Sequence, residues 1–301
     1  MKTVLSIVLF ALTVTCSYAQ QQLWGLTAKG GTDSSGNIFK IKGDGTGFQS
    51  VHSFTGMINK GSNPSLLCKG SVPNKVYGIA NAGGANGLGT LFSYDYTTNV
   101  CTVLKQLDST TGFNCKGGLT MNFYNNKLYG LMKQGGSNNG GTLVEYNETT
   151  NNFAVLLNFE SFTNGTEPVG ALTAVGSMMY GCTSQGTSSS LGGVFSYDLS
   201  QPPSSSFAQV FNFSTIPNTG YETDGFIAKS FSGKLYVCTK KDLQPPALNT
   251  TQGALLQIDP NNGNTVLPLV YFDASLQGYG AGNLLYINDG NEKLIGLLSS
   301  G

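Results

Sequence analysis

Val76 to Asp95, VYGIANAGGANGLGTLFSYD, holds two short apolar runs, Val76 to Ile79 and Thr90 to Tyr94, around a Gly/Asn-rich turn. Alternating apolar residues on both sides of such a turn predict a β-hairpin with an irregular loop. Related copies begin at Leu23, Leu128, Met179 and Leu235, and a shortened one begins at Leu294. Their second residues, Trp24, Tyr77, Tyr129, Tyr180, Tyr236 and Ile295, lie 51 to 59 positions apart, the period of a propeller blade.

The second hairpin strand aligns as Ile38 to Ile41, Leu91 to Tyr94, Leu143 to Tyr146, Val194 to Tyr197 and Leu255 to Ile258, always with a polar third column. Four of these runs lead into Asp95, Asn147, Asp198 or Asp259, residues that favour a turn. A Val-rich strand follows at Val51 to Phe54, Val103 to Leu107, Val155 to Phe159, Val210 to Phe213 and Val266 to Phe272. A strand of small residues comes next, at Pro64 to Leu67, Gly117 to Met121, Val169 to Ala174, Gly225 to Ala228 and Gly282 to Ile287. Four strands per period make a blade. Small residues suit the crowded axis, so the last strand is expected innermost in the blade that follows, with the Val-rich strand outermost.

The expected fold is therefore all-β: a β-propeller of four-stranded antiparallel blades, with about five complete repeats and the start of a sixth. Their expected bounds are 23–75, 76–127, 128–178, 179–234, 235–293 and 294–301, within one domain spanning 20–301. Ser200 to Ser206 and Lys240 to Thr251, each with a Pro-Pro pair, read as surface hairpin loops. Three explanations fit a start on a second strand and a stop on a sixth copy of it: a fragment, a five-bladed ring with a spare strand, or an overhang that pairs with another chain.

The pattern Leu-Tyr-Gly-x-x-x-x-Gly-Gly, Gly-Thr-Leu-Phe-x-Tyr-Asp and Val-x-x-Phe resembles the GloVer-type tandem repeat of secreted proteins, itself similar to kelch-like propeller repeats. The Gly pair is present as Gly30-Gly31, Gly83-Gly84 and Gly135-Gly136, departs at Gly186-Thr187 and is missing from the fifth copy. The resemblance implies a fold and no particular activity.

Met1 to Ala19 has one Lys, an apolar run from Val4 to Val14 and small residues at Ser17 and Ala19, the shape of a cleaved secretory signal peptide. No later stretch is long and apolar enough for a transmembrane helix, so the mature chain is expected outside the cell. Formal charge sums to zero, which offers no electrostatic case for nucleic acid or anionic lipid. Only 11% of residues are charged, against about 25% in ordinary domains, while 41 are glycine. That composition suits a secreted all-β chain rich in tight turns.

Cys16 leaves with the leader, and the odd set Cys68, Cys101, Cys115, Cys182 and Cys238 remains. Cys182 and Cys238 occupy the same column of neighbouring repeats and are either a disulfide or two buried thiols. Acceptor sequons at Asn147, Asn164, Asn212 and Asn249 are candidate N-glycosylation sites, each of which demands exposure.

Few residues look like chemistry. His52, the single histidine, shares a column with Leu157 and Phe211 and reads as a strand residue. The Asp44-Gly45 and Asp259 to Asn264 segments loosely resemble calcium loops but lack the ligand spacing of one. The Gly83 to Gly89 turn has no Lys-Ser/Thr ending and opens no helix, so it reads as a hairpin loop and not a phosphate cradle. The column of Trp24 and Tyr77, Tyr129, Tyr180 and Tyr236 reads as packing between blades in preference to a sugar-stacking face. No catalytic, cofactor-binding or metal residue is assigned.

The function expected is a secreted, non-enzymatic glycoprotein scaffold that binds other extracellular proteins or glycans, or self-assembles through its terminal strands into an extracellular structure. The alternative is a carbohydrate-active hydrolase or lyase at the propeller mouth, favoured if two or more acidic side chains converge there and disfavoured if they stay at the hairpin turns.

Overall fold

The computed structural model describes residues 21–56, 60–186, 191–213, 215, 222–240, 251–273, 279–288 and 292–300. The expected leader and the Asn249 sequon lie outside them, as does most of the loop that follows Lys240. The first sheet holds β1 (Gln22–Thr27), β2 (Asn37–Lys42) and β3 (Gln49–Ser53) in sequence order. In the second, β4 (Ser62–Pro64) and β5 (Cys68–Lys69) both pair β6 (Lys75–Ala82), followed by β7 (Thr90–Asp95) and β8 (Val100–Gln106).

The next three sheets are regular four-stranded meanders. They comprise β9 (Leu119–Asn122), β10 (Lys127–Met132), β11 (Thr142–Asn147) and β12 (Asn152–Asn158); β13 (Thr166–Val175), β14 (Met178–Gln185), β15 (Gly193–Asp198) and β16 (Phe207–Asn212); and β17 (Ala228–Lys229), β18 (Leu235–Cys238), β19 (Thr251–Asp259) and β20 (Thr265–Asp273). β21 (Tyr279–Asn288) and β22 (Glu292–Ser300) form a two-stranded sixth sheet, with β21 against the fifth. Every small-residue strand thus joins the sheet of the following repeat. Four complete blades stand between a three-stranded and a two-stranded sheet, because each sequence repeat begins one strand later than its blade.

Alternation along the strands decides what each blade buries. Phe92 and Tyr94 face back into a cluster with Ile38 and Phe54, while Tyr77, Ile79 and Leu91 face forward into a cluster with Leu128, Val144 and Tyr146. Tyr129, Leu131 and Leu143 pack against Phe195 and Tyr197 of the next blade, and Tyr180, Cys182 and Val194 against Val237, Leu256 and Ile258. Among the described residues the buried core forms four separate seams, each built from two neighbouring blades. A single sheet would leave both its faces wet, and stacking around an axis removes them from water.

At the axis the backbones touch. A β-carbon on Gly117 would stand 1.9 Å from the Gly170 carbonyl, and one on Gly170 would stand 2.1 Å from that of Gly225. Thr120 and Thr173 donate from Oγ1 to the carbonyls of Leu172 and Ile227 one blade on, both at 2.7 Å. The small residues of this strand are there because adjacent inner strands approach closer than side chains allow.

The third and fourth strands share a feature with no sequence signal. A register shift occurs at the same place in five sheets: Ile38/Phe39, Leu91/Phe92, Leu143/Val144, Val194/Phe195 and Leu255/Leu256. Such a bulge adds local twist, which the outer edge of a blade requires. One expected loop also differs: Pro203–Ser206 forms a single helical turn, α1, because Pro203 supplies a preset first helical φ and the Ser206 hydroxyl donates to the Pro202 carbonyl at 2.8 Å.

Candidate functional site

Where the second strands end and the inner strands begin, blades three to five enclose a cavity of about 760 Å³ at the axial mouth. Lys133 follows β10, Ser184 and Gln185 close β14, and Lys240 follows β18. Lys116, Glu167 and the Glu222 to Phe226 segment enter from the starts of the inner strands. Lys133 Nζ meets Glu167 Oε2 at 3.0 Å, which ties blade three to blade four, and Lys240 pairs with Asp224 within blade five. The Ser184 hydroxyl donates to the Glu167 carbonyl at 3.1 Å.

Glu167 and Glu222 occupy one repeat position, three residues before Gly170 and Gly225, and both adopt left-handed backbone with φ of 52° and 56°. Asn63 and Asn114 hold the same position in the preceding repeats, at 53° and 64°. Asn tolerates that region and Glu does so at a cost. The two glutamates therefore stand at two of the three repeats whose inner strands border the cavity, the third keeping Asn114 beside Lys116, and each glutamate is in a conformation the rest of the structure must hold.

Two groups of acidic side chains bear on the choice of site, one at turns and one at the mouth, while others such as Glu145, paired with Lys127, and Glu148, which accepts from the Ser71 and Val72 amides, lie elsewhere. Asp44, Asp95 and Asp198 stay at turns, where each accepts from backbone N–H and hydroxyl groups two residues on; these hydrogen bonds hold their carboxyls below the usual range. Asp259 accepts from Asn261 N in the same way. The Asp44 and Asp259 segments are closed on themselves as turns, and among the described residues no three His, Cys, Asp or Glu side chains gather to hold a metal ion. Glu167, Glu222 and Asp224 instead converge on the mouth. Sequence reading missed them, although a register of the repeats shows charged residues at Lys133 and Lys240 where Ala28, Asn81 and Ser184 stand in sister copies.

The residues singled out in the sequence lie elsewhere. His52 is half-buried and edge-on to Phe54, with ring centroids 5.1 Å apart, and burial lowers its pKa, with Lys60 adding to the effect. The Tyr column is buried between blades: Tyr129 donates to Glu145 Oε2 at 2.7 Å within its sheet, while Tyr180 reaches Asn264 Oδ1 at 3.1 Å in the next. Cys182 and Cys238 are two separate buried thiols, not a bridge, and burial pushes each up to about 12. Stacked sheets lie about 10 Å apart. A disulfide needs Cα atoms within about 7 Å.

Burial also sorts the sequons. Asn147 is half-buried at the end of β11 and its Oδ1 accepts from the Thr149 and Thr150 amides of the exposed turn that follows. Asn164 is buried at 7% exposure, accepts from Glu160 N at 2.6 Å and donates its amide nitrogen to the Asn158 carbonyl, so the fold withdraws it as a glycan acceptor. Asn212 is half-buried at the end of β16, with its carbonyl oxygen enclosed.

Among solved structures the chain is similar to TolB from Acinetobacter baumannii, with 12% identity and a TM-score of 0.50 over 92% of this chain and 61% of that one. It thus spans less than two thirds of that TolB chain. It is also similar to a chain of a nidogen/laminin complex, with 12% identity and a TM-score of 0.51 over 82% of this chain and 75% of that one. At such identity the likeness establishes the β-propeller fold alone. No curated protein matches by sequence. The Gloeobacter/Verrucomicrobia repeat model matches residues 13–195 and 124–301, and the chain, with Tyr-Gly strands in its second, third and fourth blades and Phe-x-Tyr strands in the second and fourth, belongs to that repeat family.

Proposed function

We propose that this protein is a secreted, non-catalytic β-propeller scaffold of kelch-like organisation that recognises extracellular proteins or glycans through its axial mouth. The observation that carries this reading is the pair of ion pairs, Lys133–Glu167 and Lys240–Asp224, built into one 760 Å³ cavity. A concave site with a few fixed polar groups is the general form of a ligand pocket, and carboxylates committed to ammonium partners serve recognition better than proton transfer. The leader-like 1–19 segment supports secretion, and the position of the half-buried Asn147 beside the exposed Thr149–Thr150 turn supports glycosylation. The related chain solved in a nidogen/laminin complex is in keeping with a protein-binding use of this fold. Leu23 on β1 and Ile295 on β22 are at least half exposed, and self-association through these strands is part of the same proposal.

The test is a screen of the purified full chain against arrayed glycans and extracellular matrix proteins, with light scattering over a range of concentrations. Retention of a ligand or concentration-dependent assembly is expected; a monomer that captures nothing ends the reading. The convergence of Glu167, Glu222 and Asp224 at the mouth favours one second reading, a glycan hydrolase or lyase. Release of reducing ends from a polysaccharide panel, abolished in Glu222→Gln, would establish it.

A further inference from the structure

We infer that the axial mouth binds a neutral oligosaccharide of two or three sugar rings, a proposal that rests on the scaffold reading above and names its ligand. The charges of the lining point there first. Three ammonium groups, Lys116, Lys133 and Lys240, face three carboxylates, Glu167, Glu222 and Asp224. A multiply charged anion entering the cavity meets the carboxylates, and a cation meets the ammoniums. An apolar ligand would strip water from all six. A hydroxyl group both donates and accepts, so a polyol satisfies a paired Lys and Glu together without disturbing their mutual attraction.

The rest of the wall agrees with this chemistry. Ser184, Thr223 and Gln185 add uncharged donors and acceptors, and Phe226 contributes the cavity's one aromatic ring among the described lining residues. Phe226 is half-buried, so its ring is held in place while part of it stays open to the cavity. The apolar C–H face of a sugar ring packs on such a surface while its edge hydroxyls reach the polar wall. At about 760 Å³ the space lies inside the span of roughly 300–1,000 Å³ typical of small-ligand sites, enough for more than one ring.

The backbone supplies an independent pointer. Glu167 and Glu222 keep left-handed φ at a position where Asn63 and Asn114 serve the other repeats, and such outliers collect at ligand sites because the surrounding fold holds them. The Lys133–Glu167 pair spans blades three and four and the Lys240–Asp224 pair sits on blade five, so three successive blades contribute ion pairs to one cavity lining.

The experiment is saturation-transfer NMR and calorimetry on the full chain with neutral di- and trisaccharides, alongside uronate-containing and amino-sugar counterparts of the same length. Neutral sugars are expected to bind, and Phe226→Ala, Glu167→Gln and Lys240→Met are each expected to weaken them at least tenfold with thermal unfolding little changed. Preference for the charged sugars, or equal binding by wild type and all three variants, overturns the inference. A chain that ignores every saccharide yet holds an immobilised matrix protein sinks this inference alone. One that holds neither sinks the scaffold reading with it.

Discussion

Gly78 lies directly across the ladder from Phe92, and a β-carbon added to it would stand 2.5 Å from the ring's Cζ. The same pairing recurs at Gly25 with Phe39 and Gly181 with Phe195, at 2.4 and 2.5 Å. Where the partner shrinks the demand relaxes. Gly130 faces Val144, with a Leu119 methyl group as nearest neighbour at 3.0 Å, and in the fifth blade Val237 faces Leu256. The Gly of each Tyr-Gly strand is therefore the space its neighbour's ring occupies.

Gly78→Ala and Gly181→Ala should each cost about 1–3 kcal/mol as the ring is driven off its rotamer. Gly130→Ala should cost less than either. Adding Phe195→Leu to Gly181→Ala, which approaches the arrangement of the fifth blade, should recover part of the loss. Urea unfolding of the four variants measures this, and equal losses at Gly78 and Gly130 would contradict the pairing.

Glu167→Asn installs the residue the chain already uses at positions 63 and 114 in the same left-handed conformation. The strain on a Glu there is about 1–2 kcal/mol. The pair lost with Lys133 has both side chains about 30% exposed and contributes less than about 1 kcal/mol. Stability should hold or rise by up to about 1 kcal/mol. Ligand capture at the mouth should fall. Thermal melts beside binding assays would show the two moving apart.

His52 is held neutral by burial, with a folded pKa below its unfolded value. A depressed pKa means the unfolded chain takes up the proton first as pH falls. Its contribution is therefore complete above about pH 6.5 and is lost as the pH drops below that value and through the folded pKa. His52→Leu, matching Leu157 in the sister column, should flatten the stability profile between pH 7 and pH 5. An unchanged slope in that variant would assign the dependence to other groups.

Cys115, Cys182 and Cys238 are buried, and burial pushes the first up to about 11 and the other two up to about 12. Thiolate is the reactive form, so folded protein should leave all three unlabelled by a maleimide and denatured protein should label them. Intact mass before and after reduction should be the same. A shift of two hydrogens would restore the Cys182–Cys238 bridge that the structure replaces with separate thiols.

Asn164→Ala removes the acceptor for Glu160 N and the donor to the Asn158 carbonyl, and should cost about 1–3 kcal/mol. Asn147→Ala, at the half-buried end of β11, loses two hydrogen bonds to the exposed turn that follows and should cost about 1 kcal/mol or less. In a glycosylating host, site-resolved mass spectrometry should find sugar at Asn147 and none at Asn164.

The strand order was legible before any coordinates because a strand repeats its side-chain directions every two residues, and the chain states that alternation five times over. Small residues at Gly117, Gly170 and Gly225 likewise announced the axis, since only close backbones need them. The Tyr column read as packing for the same reason, lying inside a predicted sheet. Three features belonged to the folded molecule alone. The bulge in each outer strand pair depends on ladder geometry. The fate of Asn164 and of the two cysteines depends on what packs above them. The charged mouth joins residues from Lys116 to Lys240 that no local motif connects, because a propeller gathers the starts of successive inner strands around one axis while the chain separates them by about fifty residues each.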